Sequence, residues 1–405
     1  MSSDLSFNPA PPTILHLDLN SCFASCEQQA NPLYRGKPLV VAAYATPRGC
    51  ILASSIEAKR LGIKTGMRVA DGQKLYPRLL VLSPDPDKYR HVHRCLRALI
   101  SEYTHDFAPK SIDEFVLNLS GHHNLPGIAR EIKARIKQEI GDYLTVSVGI
   151  STNRFLAKLG AGLHKPDGLD VINLENHRRI YDSLQLVDLP GINQKYATRL
   201  YVAGIRSVSD LYAAPVHHLR AGFHSVTGYD WYMRLRGWEV DAVSFDRKSF
   251  GHQVSIGKTL ITPAQINPLL TKLVVKVAAR LRKHGYQARG IHLAVFYKDR
   301  SFWHQAFTLP GFIFDTADLY RAALHLLEKS PYPGLPLKFL SVTCFDLTRR
   351  DHLQLQLFTN TLKTDCLNQA VDTVNARWGA FSLTPARILG EGGQILDRIA
   401  FNHTP

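Results

Sequence analysis

Ser111-Ile112-Asp113-Glu114-Phe115-Val116-Leu117 sets two adjacent carboxylates at the entrance of an apolar, β-forming run. Neighbours on a regular strand point to opposite faces, so Asp113 and Glu114 converge on one point only at a strand end or a hairpin corner. Nothing in the local sequence neutralises them. A lone Asp-Glu pair is ordinarily an exposed acidic turn, and a second apolar run is what shifts the reading. Ile14-Leu15-His16-Leu17 closes on Asp18 and hands over to Asn20-Ser21-Cys22-Phe23, so a first strand presents an oxygen ligand at its tip. Three carboxylates meeting across paired strands suffice to hold two magnesium ions about 4 Å apart, the arrangement that clamps an in-line phosphoryl transfer. Magnesium suits such a set because it takes oxygen ligands and shares its shell with substrate phosphates.

The 405 residues, 45% of them hydrophobic, exceed one ordinary domain, and three or four units are expected. A formal charge of +15 and a pI near 9.5 call for a polyanionic partner, nucleic acid foremost. A membrane surface is the competing partner, but no apolar run approaches the roughly 20 residues of a span. The N-terminus also lacks a charged region followed by an apolar core. Cys22, Cys26, Cys50, Cys95, Cys344 and Cys366 are scattered without paired C-x-x-C spacing. Neither a zinc site nor a disulfide framework is indicated, in keeping with a reducing cytoplasm.

Residues 1–13, with three prolines, read as a loose leader. After the strand that delivers Asp18, Ala24 to Gln29 reads as a helix, and Phe23 between them is ordinarily a core residue. Leu39 to Ala43 reads as a buried strand. Arg48 to Ser55 and then the helical Ile56 to Gly62 give a strand, small residues and a helix opening on hydroxyls, which favours an anion. Lys59 and Arg60 add charge there, although an N-capped surface helix has the same pattern. A long helix is predicted from Asp87 through Ile100, helical spacing from Ile128 to Ile140, and a strand from Leu144 to Ser151. This alternation predicts an α+β layer with helices backing an antiparallel sheet. Asn153 to Lys158 reads as a helix leading to His164-Lys165-Pro166-Asp167-Gly168. Lys165 before that Pro-bounded turn is held in position with its ammonium free, either as a triphosphate contact or as a solvated loop lysine.

From Leu186 the texture changes, and Leu189-Pro190-Gly191-Ile192-Asn193-Gln194-Lys195 separates two short helices, the second through Leu200. This resembles a helix-hairpin-helix, whose turn offers N–H groups to a DNA phosphate. Asn193 stands at the usual second glycine, and asparagine tolerates left-handed geometry better than other non-glycine residues, so the hairpin can survive there. Residues 231–350 carry 18 Lys+Arg against 8 Asp+Glu, a balance of +10. Strands at Gly251–Ile256, Ile291–Phe296 and Phe339–Phe345 and helices at Ile266–Lys283 and Ala317–Lys329 predict a strand-helix-strand-strand-helix-strand module. Its basic strands would face a phosphate backbone with salt-dependent affinity. Gln354 to Phe358 alternates like one more edge strand, and a helical tail is expected from Thr361 to Trp378.

Together these segments resemble a Y-family translesion DNA polymerase, nearest in layout to the bacterial polymerase IV and UmuC branches, from Ile14 to about Phe358. The resemblance rests on Asp18-Leu19-Asn20-Ser21-Cys22-Phe23-Ala24, Ser111-Ile112-Asp113-Glu114, and Phe155-Leu156-Ala157-Lys158 with Lys165-Pro166-Asp167-Gly168, all in the family's order and spacing. It implies an α+β right-hand fold. The palm spans 14–22 and 88–175, the fingers 23–87, and a helix-hairpin-helix thumb 176–243. A βαββαβ little finger covers 244–358, followed by a helical tail at 359–405. It further implies that Asp18, Asp113, Glu114 and the Leu19 carbonyl hold two Mg2+ ions and that Phe23 is the steric gate against a ribose 2′-hydroxyl. Lys165, with Lys59 and Arg60, would contact the incoming dNTP. Gly191, Ile192, Asn193 and Lys195 would grip primer-template DNA. Gln354, Leu355, Leu357 and Phe358 look like the clamp-binding pentapeptide of bacterial replication proteins. A cytoplasmic, nucleoid-associated monomer partnered by a sliding clamp follows from the same resemblance. The departures lie in the fingers, where Ile56 and Lys59 stand in place of the family's usual tyrosine and arginine, and Ala53 in place of a hydroxyl. Lysine supplies charge but not a bidentate fork, and a non-catalytic scaffold recruited to damaged DNA is the alternative these departures raise.

Overall fold

Strict alternation makes β1 (Ile14–Leu19) the axis of the first unit. Leu15, Leu17 and Leu19 enter its largest core, while Ile14, His16 and Asp18 take the other face. The computed structural model describes residues 5–242, 247–257, 259–350 and 361–389. The described chain divides into two units, residues 5–242 and residues 247–257, 259–350 and 361–389. The pentapeptide Gln354 to Phe358 lies outside the described residues, as does the whole segment after Leu389.

In the first unit β1 is followed by α1 (Cys22–Ala30), β2 (Leu39–Ala42), β3 (Ile51–Ser54), α2 (Ile56–Arg60) and α3 (Val69–Leu75). Next come β4 (Leu80–Leu82), α4 (Pro86–Ser101), β5 (Phe107–Pro109), β6 (Glu114–Asn118), α5 (Leu125–Arg135), β7 (Val146–Ser151), α6 (Arg154–Leu163) and β8 (Leu169–Val171). Five strands form one sheet in the order β5-β6-β1-β7-β8, and β3-β2-β4 form a smaller one. The larger sheet is antiparallel except at its edge, where β7 pairs parallel to β8. A parallel neighbour needs a crossover, and α6 supplies it. Gly149 of β7 lets that helix close in, since a Cβ there would lie 2.0 Å from the Ala157 carbonyl oxygen.

Five helices follow: α7 (His177–Asp182), α8 (Gln194–Val202), α9 (Val208–Ala213), α10 (Val216–Phe223) and α11 (Thr227–Leu235). They share a core with Phe155, Leu156 and Leu159 of α6. The loose leader expected at the N-terminus is corrected here. Phe7 is buried and stacks on His177 at 4.0 Å, the Asn8 N–H donates to the Arg236 carbonyl at 2.7 Å, and the Thr13 N–H donates to the Ser151 carbonyl. One apolar anchor among prolines is enough to turn a leader into a strap. The hairpin is corrected too. Its first arm is only a 3-10 turn at Leu186–Asp188, and Asn193 is extended (φ −91°, ψ 174°), capping α8 by accepting from the Tyr196 N–H. Gly191, at φ +95°, takes the one left-handed position of that turn.

The second unit runs β9 (Ser249–Ser255), α12 (Pro263–Lys283), β10 (Tyr286–Tyr297), β11 (Phe302–Ile313), α13 (Thr316–Glu328), β12 (Leu337–Arg349) and α14 (Thr361–Trp378). Its sheet, β11-β10-β12-β9, is antiparallel throughout and packs its core face on α12 and α13. The expectation of basic strands does not hold: the four strands carry only Arg289, Lys338 and Arg349, and most of the module's charge sits on helices and turns. The tail helix docks on this unit through Asp372 to Arg282 at 2.7 Å and Asn368 to Asp315 at 3.0 Å.

Replacing Gly149 by Ala should push α6 off the sheet and cost about 1–3 kcal/mol of stability, the usual penalty of overpacking. Urea unfolding of the full chain measures it, and an unchanged midpoint would show that this contact does not set the helix position.

Candidate active site

Asp18 near the end of β1 and Glu114 at the start of β6 stand directly opposite in the antiparallel register. Asp113 occupies the corner between β5 and β6. The Lys110 N–H donates to the Glu114 carbonyl at 2.8 Å, and the Leu19 N–H to the Asp113 carbonyl at 2.9 Å. Beneath the corner, His93 of α4 stacks on Phe115 and sets a ring nitrogen 2.9 Å from the Ile112 carbonyl. The Ser111 hydroxyl donates to the Asp113 carboxylate. The two carboxylates therefore sit at a hairpin corner, held by backbone bonds on both sides.

Burial of three carboxylates in one place shows in their protonation. Burial pushes Asp18 up to about 6, with Glu114 and Asp113 adding to the rise and Lys165 opposing it. Asp113 is likewise raised, mainly by burial and then by Glu114, against the Ser111 hydrogen bond. Burial also acts upward on Glu114, but the Lys158 ammonium at 2.7 and 2.9 Å from its oxygens outweighs it and holds the carboxyl below its usual range. Lys165 sits 2.6 Å from an Asp18 oxygen, so the ammonium read as free is paired. Its turn is fixed from below, because Asn20 accepts from the Asp167 N–H at 2.9 Å and donates to the Ser147 hydroxyl at 2.9 Å. Lys133 and Lys137 hold the Asp167 carboxylate.

Asp18, Leu19, Phe23, Lys59, Arg60, Asp113 and Lys165 all line a single cavity of about 570 Å³. Lys59 and Arg60 end α2, whose start is capped by Ser55 accepting from the Ala58 N–H. Burial, then the Lys165 charge, lowers the Lys59 ammonium's pKa, with Asp18 opposing. Ile56 and Ala53 also line this cavity. Phe23 is buried and stacks on Tyr89, ring centroids 4.5 Å apart at 16°. Tyr89 donates to Glu27 at 2.7 Å, and Lys88 reaches the other Glu27 oxygen at 2.5 Å.

Glu114 opens instead onto a second cavity of about 730 Å³ that also reaches Asp113 and is lined by Lys158, Arg154, Gly191, Phe223 and Trp231. Of the hairpin residues, Gly191 lies there, and Asn193 and Lys195 are exposed. Ile192 is corrected: it is buried in the helical core and its N–H already donates to the Leu189 carbonyl. Sequence reading missed Lys158, Tyr89 and His16. The period of two that puts His16 on the face of Asp18 was the available signal. Burial pushes the His16 imidazole down to about 4, only partly countered by Glu114.

The impB/mucB/samB family matches residues 17–162, and the C-terminal domain of that family matches residues 247–357. The DNA polymerase IV of Alkalilimnicola ehrlichii is 35% identical over 85% of this chain and 99% of its own length. Those of Moorella thermoacetica and Pelotomaculum thermopropionicum are 34% and 31% identical, each over 94% of this chain and 98% of theirs. A solved Y-family DNA polymerase chimera has the same fold, with a TM-score of 0.74 and 23% identity over 83% of this chain and 99% of that one. Likeness that runs through both family regions and nearly the full length of these relatives settles the affiliation: the chain belongs to the Y-family of DNA polymerases.

Proposed function

We propose that this protein is a low-fidelity, template-directed DNA polymerase that extends primers past damaged template bases. The observation that carries the reading is the buried corner of Asp18, Asp113 and Glu114 beside a cavity that also gathers Phe23 and three cationic side chains. The wall of that cavity includes two small residues, Ala53 and Ser54, beside Ile56 and Lys59, and the small ones leave space above a distorted base pair. In this reading the palm is 14–22 and 88–175, the fingers 23–87, the thumb 176–243 and the little finger 244–358.

The donor set fits divalent magnesium. Its side-chain ligands are all oxygens, its carboxylates are crowded enough to raise two of their pKa values, and two ammonium groups already balance the charge. Asp18, Asp113, Glu114 and the Leu19 carbonyl would hold the ions. When bound, they supply the Lewis acidity that activates a primer 3′-hydroxyl and stabilises the departing pyrophosphate. Lys165, Lys59 and Arg60 bind the triphosphate of a dNTP, and Lys165 stands where negative charge develops on it. Phe23, backed by Tyr89, fills the space a ribose 2′-hydroxyl requires. Gly191, Asn193 and Lys195 face the DNA backbone, and Gln354, Leu355, Leu357 and Phe358 contact a sliding clamp. Among the described residues no helix is long and apolar enough to cross a membrane. The reading places the protein as a monomer in the cytoplasm, at the nucleoid.

Primer extension with magnesium and four dNTPs tests this. The native protein should extend, and Asp113→Ala should lose roughly 100-fold or more, as when an electrostatic contact to the transition state is removed. Absence of extension by the native protein, with primer-template binding intact, would transfer the reading to a recruitment scaffold. Phe23→Ala should raise ribonucleotide incorporation relative to deoxyribonucleotide by roughly 10-fold or more, about 1.4 kcal/mol of discrimination. Single-turnover assays with dCTP and CTP measure it, and unchanged sugar selectivity would remove Phe23 from the gate.

A further inference from the structure

The bundle α7–α11 meets the five-stranded sheet at a joint that the segment before β1 closes. Leu5 to Asn8 lie along the chain that leaves α11. The Leu5 N–H donates to the Tyr232 hydroxyl at 3.0 Å, the Arg236 guanidinium to the Leu5 carbonyl at 2.9 Å, and the Trp238 ring N–H to the Ser6 carbonyl at 3.2 Å. Asn8 adds two bonds, from its N–H to the Arg236 carbonyl at 2.7 Å and from its side-chain amide to the Gly237 carbonyl at 3.1 Å. Phe7 enters the core that α6 shares with the five helices. At Gly237, φ +75°, the parts come closest: a Cβ would lie 2.5 Å from the Thr152 hydroxyl and 3.2 Å from the Phe7 ring. The other side of the joint is the start of α6. The Thr152 hydroxyl donates to the Gly237 carbonyl at 2.8 Å, and the Asn153 amide donates to the Arg234 and Trp238 carbonyls, both at 2.9 Å.

We propose that Phe7 is a positioning residue, and that the strap from Leu5 to Thr13 fixes how the α7–α11 bundle sits on the sheet and so how readily primer-template DNA is bound. A leader is poorly ordered unless something ties it down, and this one is tied at both ends, to the end of α11 and to Ser151 of β7. Pro9, Pro11 and Pro12 stiffen the stretch between, so movement of the bundle is passed to β1 instead of being absorbed by slack. A bundle already oriented spares DNA the cost of ordering it, and preorganisation of that kind raises affinity without adding a contact. The strap touches no nucleic acid itself in this account, and it precedes the family-matched residues 17–162. The inference rests on the reading of 176–243 as a thumb that faces DNA through Gly191, Asn193 and Lys195.

Fluorescence anisotropy of a labelled primer-template with the full-length protein, repeated over a salt series, tests it. Phe7→Ala should raise the Kd by at least the roughly 5-fold that marks the low end of couplings between distant sites. The slope of log affinity against log salt should stay native, because no phosphate contact is lost, and the dNTP KM at saturating primer-template should not move. Phe7→Leu, which refills the apolar slot, should restore most of the affinity. Lys195→Ala reads the thumb assignment separately: it should weaken binding and flatten the salt slope by about 0.9, and no change on either count would go against that assignment while the Phe7 variants still decide the strap. Should Phe7→Ala lose the native melting profile, Asn8→Ala, which removes strap bonds but no buried ring, serves in its place. Unchanged DNA affinity in a folded strap variant, or a flattened salt slope that makes the strap a direct phosphate contact, would overturn the proposal.

Discussion

The antiparallel pairing of Asp18 with Glu114 sets two carboxylates face to face at the tips of β1 and β6, and much of the first unit follows from making that tolerable. Like charges in a poorly solvated corner repel and seek either protons or cations. The fold brings cations along two routes that both run through α6. Gly149 admits the helix to the sheet, which puts Lys158 on Glu114. The same crossover returns the chain through the 164–168 turn, which puts Lys165 on Asp18. Asn20, two residues past Asp18, then ties that turn to β7 through Ser147. A carboxylate at position 20 would add a further negative charge to the corner, so the amide suits this arrangement better.

What the sequence discloses and what it conceals separate by range. Strand ends, helices and the acidic corner depend on local periodicity and turn chemistry, and the convergence of Asp18, Asp113 and Glu114 was legible on that basis, whereas Phe23 read as core and Lys165 stayed open until the family resemblance gave them roles. Partners far apart in the chain were not. Lys158 lies 44 residues from Glu114, and Tyr89 lies 66 positions after the Phe23 it stacks on. The leader was misread because its polar and proline-rich composition hides one buried anchor, Phe7. Asn193 was given a left-handed role from its alignment with a glycine, whereas its side chain does the ordinary work of a helix cap. In the second unit the charge was real but its placement was not. Strands that alternate between core and solvent leave room for Ser, Thr, Phe and His on the outer face, and the lysines and arginines collect on helices and turns.

Ile56, Lys59 and Ala53, the positions that depart from the resembled pattern, have a physical reading once α2 is seen in place. Glu57, next to Ile56, accepts from Gln28 at 3.1 Å and from Tyr143 at 2.9 Å, and these bonds help hold its carboxyl below the usual range against burial. The helix is thus anchored to α1 and to the chain before β7 by its acidic side chain. Its other side, Ile56, Lys59 and Arg60, faces the cavity. Ile56 offers shape without a hydrogen bond, and the two cations three and four residues on, about one helical turn away, supply the positive charge on this side of the helix. The Lys59 ammonium offers a point charge where an arginine would offer a forked pair of hydrogen bonds, so the triphosphate contact proposed for it carries less geometric restraint.

The sugar gate proposed for Phe23 requires a ring that cannot retreat, and the restraint on this ring is ionic at its far end. Phe23 leans on Tyr89, Tyr89 is fixed by Glu27, and Glu27 is buried enough that it requires Lys88. A stacked aromatic pair alone contributes about 0.5–1.5 kcal/mol beyond its buried area, which would let the ring shift under pressure from a 2′-hydroxyl. Coupling the second ring to a carboxylate that is itself paired raises the cost of any such movement, because displacing Tyr89 leaves a buried charge short of a donor. The Phe23 ring is therefore held by a chain of contacts running from the cavity wall, through α1 and α4, to a lysine at the edge of the solvent.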